Sequence, residues 1–316
     1  MKLIKYYQMR INYFIVLVSL FLLQSCSKDL KLDEVSFNVT ADSTSYNLGS
    51  KTTFTFTGKP DFISFYSGEI GQRYEFKDRD TANGTPLLSF TSQINTGTQP
   101  NTLKLMISSN LNGTVDSTSI VNASWTDISD RALFATNTTA RASGTINLSD
   151  FAALNKPVYI AFKYNAAAGA IQNRWTLTRF SLRNFLSDGT SYVIDSVPTV
   201  TTAVNYGSAT NLPVWAGQRT AGTTSVLDVR ATMIVAGATT AAAATSAVEA
   251  WIVTGPVNLK SVTPDAGVVI QNIASSVPFT TYTYSKSGTY NPVFVGSNIN
   301  VNKENSVPRK LTVTIK

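Results

Sequence analysis

From Asp33 onward, apolar and polar residues alternate with a period of two, in short runs rich in β-branched and aromatic residues and separated by Asn, Gly, Pro, Ser and Asp. This pattern predicts an all-β protein. Val35, Phe37 and Val39 alternate in the first run, Asn47-Leu48-Gly49 turns into Thr53-Phe54-Thr55-Phe56-Thr57, and the chain turns again into Phe62-Ile63-Ser64-Phe65-Tyr66. At the opposite end, Tyr282-Thr283-Tyr284, Thr289 to Val295 and Leu311 to Ile315 read as further strands. Roughly 40 to 50 residues is the lower limit for an unbridged domain, so neither end is long enough to bury a satisfactory core alone and the two are expected to share one sandwich.

That sandwich is then split in sequence, residues 33–83 with 276–316, around a second β-domain inserted at 84–275. Insertion into a surface loop is cheap when the ends of the inserted domain lie close together. The insert has its own strand runs at Leu103 to Ile107, Val158 to Tyr164, Trp175 to Leu177 and Ala250 to Val253. Between Leu177 and Phe180 the apolar phase slips by one residue, which predicts a β-bulge at Thr178-Arg179. Ala236 to Ala250 is rich in Ala and Thr without an apolar stripe, and is expected to be a loop between strands rather than a helix.

The N-terminus follows a different pattern. Lys2, Lys5 and Arg10 precede an apolar run from Ile11 to Leu23, and the segment closes on Gln24-Ser25-Cys26. The run is shorter than the ~20 residues that cross a bilayer, so residues 1–25 are expected to be a cleaved export signal, with 26–32 a tether. The arrangement resembles a bacterial lipoprotein signal, which implies that Cys26 is acylated and anchors the protein to a membrane. The leader takes three of 26 basic residues and none of 19 acidic ones, so the net charge of +7 falls to +4. The remaining Lys and Arg are scattered, which argues against nucleic acid as a partner.

The chain has no histidine and one cysteine. That removes Ser-His-Asp and Cys-His catalysis and the nitrogen ligands of zinc, copper and iron. No cofactor is expected. Calcium held by oxygen ligands is the one structural metal this donor set allows, near Glu75 to Asp80, although those residues lack the spacing of a calcium loop and read first as a solvated turn. A glycosidase needs two facing carboxylates, and neither Asp127 with Asp130 nor Asp78 with Asp80 carries a signature of that geometry. The expectation is a protein that is not an enzyme.

Several stretches resemble known modules. The opening strand, the Leu-Gly turn, Thr53 to Thr57 and the closing Gly288-Thr289-Tyr290 strand resemble the PKD domain, an immunoglobulin-like sandwich. Ser143 to Phe151, Pro157 to Phe162 and Arg174 to Leu177 resemble the galactose-binding-like jelly roll. The whole resembles uncharacterised Bacteroidota surface lipoproteins associated with polysaccharide utilisation, on Asp61 to Glu69, Trp125 to Arg131, Pro157 to Trp175 and Trp251 to Pro256; Ser27-Lys28-Asp29 resembles their acidic surface-export tag. The resemblance implies a lipoprotein in the outer membrane, facing the exterior, that binds polysaccharide or oligosaccharide for a neighbouring transporter complex. The alternative is a structural or adhesive surface protein with a protein partner; a carbohydrate-active enzyme ranks third. Four Asp-Ser/Thr tripeptides, beginning at Asp42, Asp80, Asp116 and Asp195, resemble the O-glycosylation sequence of that phylum.

Sugar binding directs attention to the four tryptophans, since a flat exposed ring stacks on the apolar face of a pyranose. Trp251 and Trp175 lie in strand runs and are expected in the core; Trp125 precedes a polar turn and is ambiguous. Trp215 sits among Pro213, Gly217 and polar residues without strand alternation, and is the expected platform, with Tyr206, Gln218 and Arg219 supplying a second ring and hydrogen-bonding heads; capping an open end of the sandwich is the competing role. Gln172-Asn173-Arg174 forms a second polar loop, in which Asn173 and Arg174 are secondary candidates.

Overall fold

The computed structural model describes residues 32–197, 215–230 and 232–316, together with the main chain of 204–205; Cys26 and Tyr206 lie outside them. The sequence alternation reappears as an alternation of burial, as in Thr85–Thr96, where intermediate and buried positions succeed one another along almost the whole strand. The fold is an all-β sandwich architecture, distributed over two compact units: residues up to Glu69 with Gly267–Lys316, and Ile70–Ala266.

The first unit holds a three-stranded sheet of Phe37–Ala41, Lys51–Gly58 and Phe279–Thr283, and a four-stranded sheet ordered Val268–Gln271, Phe62–Tyr66, Val293–Ile299, Glu304–Lys310. A small third sheet joins Ser45–Tyr46, Val313–Ile315 and Gly288–Tyr290. Between them lies a core of Phe37, Val39, Phe54, Ile63, Phe65, Tyr284, Phe294, Val313 and Ile315. Phe294 is its centre, fully buried and with ring centroids of Phe65, Phe54 and Phe56 at 4.6, 4.9 and 5.3 Å.

In the second unit, a five-stranded sheet runs in the order Trp215–Ala221, Val248–Thr254, Tyr159–Ala166, Leu103–Ser108, Thr126–Asp127. The other sheet is organised by Arg174–Phe185, which pairs with Thr85–Thr96 on one edge and, on the other, with Ser191–Ser196 and Met233–Ala236 in turn. One continuous core receives Leu103, Leu105, Ile160 and Phe162 from the first of these sheets and Leu88, Phe90, Trp175 and Leu182 from the second. The phase slip in the sequence is a bulge. Pairing to Thr85–Thr96 shifts register between Thr178 and Ser181, and Arg179 adopts φ 53°. The chain from Gly237 to Ala247 is irregular, as its composition implies.

The joins between the units lie elsewhere than the alternation implied. Residues 70–83, expected with the first sandwich, belong to the second unit because Asp265 there is buried and needs countercharge. Arg73 supplies it from Nε at 3.0 Å, adding its main-chain N–H at 3.0 Å, and Arg79 approaches at 3.6 Å. Both guanidiniums lie over the Phe76 ring, at 4.5 and 4.0 Å from its centroid. Residues 267–275, expected in the insert, belong to the first unit, where Val268–Gln271 pairs with Phe62–Tyr66.

Phe294→Ala is expected to lower the stability of the first unit by about 3–5 kcal/mol, the cost of a large cavity at a site ringed by other aromatics, read as a shift of its urea transition.

Candidate functional site

Thr85–Thr96 and Leu103–Ser108 belong to opposite sheets of the second unit, so residues 97–102 between them must cross an open end of the sandwich. Amide side chains hold this crossing in place. Asn173, fully buried, accepts from the Gln99 main-chain N–H through Oδ1 at 2.9 Å and donates through Nδ2 to the Gln99 carbonyl at 2.8 Å. The Gln99 side chain accepts from Ala167 N–H at 2.7 Å and donates to the carbonyls of Ala167, Ala170 and Ile171. Tyr164 Oη donates to the Asn173 carbonyl at 2.7 Å. Gly97 is glycine because a Cβ there would lie 2.4 Å from Asn173 Oδ1, and its φ is 89°. The crossing is therefore a fixed ridge.

On one side of the ridge lies a cleft of about 720 Å³ lined by residues 96–101, Lys104, Ser129, Asp130, residues 134–138 and Trp175. Its far wall, residues 134–138, is laid along Thr85–Thr96: Ala135 N–H donates to Ser92 Oγ at 2.9 Å, Ile94 N–H to the Asn137 carbonyl at 3.2 Å, and Gln93 Nε2 to the Thr138 carbonyl at 2.7 Å. Phe134 is half-buried there, edge-on to Trp175 at 6.3 Å and tilted against Phe90 at 5.6 Å. Trp175 Nε1 donates to Thr102 Oγ1 at 2.8 Å.

The charges near the cleft are mostly committed. Lys104 Nζ pairs with Asp127 at 2.9 Å. Burial works against ionisation of the Asp127 carboxyl, but hydrogen bonds from Ser129 and the Lys104 ammonium hold it below the usual carboxylate range. What remains at the cleft is the half-buried Phe134 ring, backed by the buried Trp175, with threonine hydroxyls at 96, 98, 136 and 138 and the amides of Asn101 and Asn137. Such a lining can stack an apolar ring face and exchange hydrogen bonds with neutral hydroxyls. A second cleft, about 780 Å³, opens on the other side of the ridge and is lined by Asn165, Glu249 and several alanines.

The predicted site residues that are described do not assemble. Trp215 is 6% exposed, stacked on Phe162 at 6.2 Å and edge-on to Phe180 at 4.7 Å, so it is a core residue and no platform. It opens the strand Trp215–Ala221, which pairs with Val248–Thr254. Gly217, read as loop punctuation, is instead a close approach: a Cβ there would lie 2.9 Å from Leu227 and 3.1 Å from Val229. Gln218 is half-buried opposite Trp251 and donates to the Arg219 carbonyl at 2.7 Å, while Arg219 is exposed. Tyr206 falls outside the described residues. Asn173 is a buried anchor of the ridge rather than a ligand contact, and Arg174 begins a strand, in register with Thr96 and Ala236. Trp175 and Trp251 are buried as expected; Trp125 is half-buried, packs on Trp251 at 5.0 Å and donates to the Ile120 carbonyl.

The acidic residues near Glu75 to Asp80 do not converge: Lys77 pairs with Asp78, and no cluster of three Asp, Glu, Cys or His side chains that could hold a metal occurs among the described residues. Three aspartates of the resembling tripeptides, Asp42, Asp116 and Asp195, have structural partners or burial of their own. Asp42 accepts from Tyr46, and Asp116 caps the helix Ser117–Asn122 through Ser119 N–H.

The lining residues escaped the sequence because only their loops were visible. Thr96 to Asn101 and Ala135 to Thr138 are polar connectors without any motif, and their convergence depends on one crossing the sandwich end while the other lies along a strand.

Asp195, in Ser191–Ser196, is the one strongly perturbed acid among the described residues. It is fully buried beside Trp215, and among the described residues neither carboxyl oxygen makes a well-formed hydrogen bond. Burial pushes its pKa from 3.8 up to about 8, partly offset by the Trp215 indole. The folded protein therefore keeps this proton between pH 4 and 8 while the unfolded chain releases it, so stability is lost as pH rises across that window. Asp195→Asn is expected to gain stability over the parent by up to about 1.4 kcal/mol for each pH unit in that window, and nothing below it, in urea titrations run at several pH values.

Neither the curated proteins nor the solved structures contain a match to the chain. The family described as Domain of unknown function (DUF5017) matches residues 25–204, more than half of the chain, and the chain belongs to that family.

Proposed function

We propose that this protein is a surface lipoprotein that binds a neutral oligosaccharide or polysaccharide without cleaving it, at the cleft beside the Gln99 ridge. The observation that carries the reading is the lining: the half-buried Phe134 ring, backed edge-on by the buried Trp175, lies among hydroxyl and amide groups on a fixed loop, in a volume of about 720 Å³ suited to a small ligand. A pyranose offers the same two surfaces, an apolar face and a rim of hydroxyls. Among the described residues Asp130 is the single carboxylate of the lining, where glycoside hydrolysis uses two, which supports binding over catalysis.

The rest of the proposal concerns location. The basic and apolar leader ending at Cys26 supports export and lipid anchoring in an outer membrane, with the PKD-like sandwich as spacer and the jelly-roll-like unit as reader. A tethered binder raises the local concentration of glycan beside a transporter complex without high affinity. The competing reading, an adhesive protein, draws on apolar side chains that the first unit exposes at Val268, Val269, Ile273 and Phe279.

In affinity gels containing plant, host and microbial polysaccharides, the chain from Ser27 onward is expected to be retarded by at least one neutral glycan without releasing product, and Phe134→Ala is expected to weaken that binding by about tenfold or more while leaving the fold intact. Retardation by none would remove the glycan reading in favour of the adhesive one. Cys26→Ser is expected to abolish incorporation of labelled palmitate and to shift the protein from the membrane to the soluble fraction.

A further inference from the structure

Two clefts share one ridge. Gln99, Pro100 and Asn101 line both the 720 Å³ cleft and the 780 Å³ cleft on its other side, so no other wall separates them at this point. We infer that the two clefts form one track for a linear, uncharged glycan, which crosses the ridge so that the protein holds an internal stretch of chain rather than a chain end. This rests on the glycan reading of the first cleft and adds to it the form of the ligand and a second subsite.

Three features of the second cleft support the track. Its floor carries little bulk: Ala167, Ala170, Ala221 and Ala247 are all exposed along it, leaving room for a chain to run on. Its polar heads are Asn165 and Glu249, and the Glu249 carboxylate is held in a fixed direction by Lys163 Nζ at 2.9 Å, Trp251 Nε1 at 3.0 Å and Thr220 Oγ1 at 2.7 Å. With its charge balanced by Lys163 and its oxygens met by Trp251, Thr220 and Lys163, that carboxylate offers no surplus charge to a charged sugar.

The third feature is the rigidity of the ridge itself. A loop held by both main-chain groups of Gln99 and by four contacts from its side chain cannot fold away to merge the clefts or close over one of them. A ligand that uses both must pass over it. Asn101, exposed at the crest with φ 54°, lines both sides and is placed to meet the chain where it crosses. Because the ordering of the loop is complete before binding, each sugar added beyond the ridge contributes contacts without a further cost of closing a loop.

The test uses size-graded oligosaccharide ladders of xylan, mannan and α-glucan, titrated calorimetrically into the chain from Ser27 to Lys316, which holds every described residue of both units. Affinity is expected to rise by about tenfold or more from the shortest to the longest binding members of one ladder and then to level off. Ala221→Trp and Ala247→Trp, which fill the second cleft from exposed positions away from Phe134 and the ridge contacts, are expected to remove that rise while leaving the short members bound as before. Affinity independent of chain length, or a rise that survives both tryptophans, would overturn the track and leave the first cleft standing. Failure of every ladder member, long or short, would overturn the glycan reading itself and the track with it.

Discussion

The second unit depends on one ring. Phe162 lies edge-on to Phe90 at 4.9 Å and to Phe180 at 6.4 Å, and parallel to Trp215 at 6.2 Å, so it touches the interiors of both sheets at once. With one cysteine in the whole chain, no disulfide can take over that task, and the sheets stay together only while this interior is dry and filled. The aromatic series continues from Phe90 to Phe134 and on to Trp175, which brings it to the wall of the first cleft. The same packing that closes the sandwich thus positions the surface that we propose meets the ligand.

The open end of the sandwich is governed by amides instead. Gln99, Gln172 and Asn173 together bond the main chain of residues 97–101, 167–173 and 238–246, three connectors that would otherwise be independent loops. Buried amide side chains are costly unless both ends are satisfied, and here each one is matched to main-chain donors and acceptors. The consequence is a rim with little freedom left to lose on binding.

Two buried aspartates show how differently the fold treats charge. Asp265 has Arg73 and Arg79 against it, and this network ties residues 70–83 into the second unit. Among the described residues Asp195 has no cation against it, and burial drives it toward its neutral form. The first helps set where a unit begins. The second makes stability depend on pH without touching either cleft.

Period-two alternation by itself determined the all-β class, most strand positions, the bulge at Thr178-Arg179 and the burial of Trp175 and Trp251, because each of these depends on which face of a strand a residue occupies. It also allowed the opening and closing segments to be read as parts of one sandwich. Tertiary structure decided what neighbours in space impose. Gly217 reads as a break until Leu227 and Val229 are seen packed on it, and with that the platform at Trp215 becomes core. Asn173 reads as a polar loop residue until Gln99 arrives from 74 positions away. The joins at Glu69 and Ala266 follow from ion pairs and strand partners that composition does not reveal, and the clefts arise where two featureless connectors converge. Local pattern records the environment that a strand's own periodicity creates; it carries no record of which distant segment completes that environment.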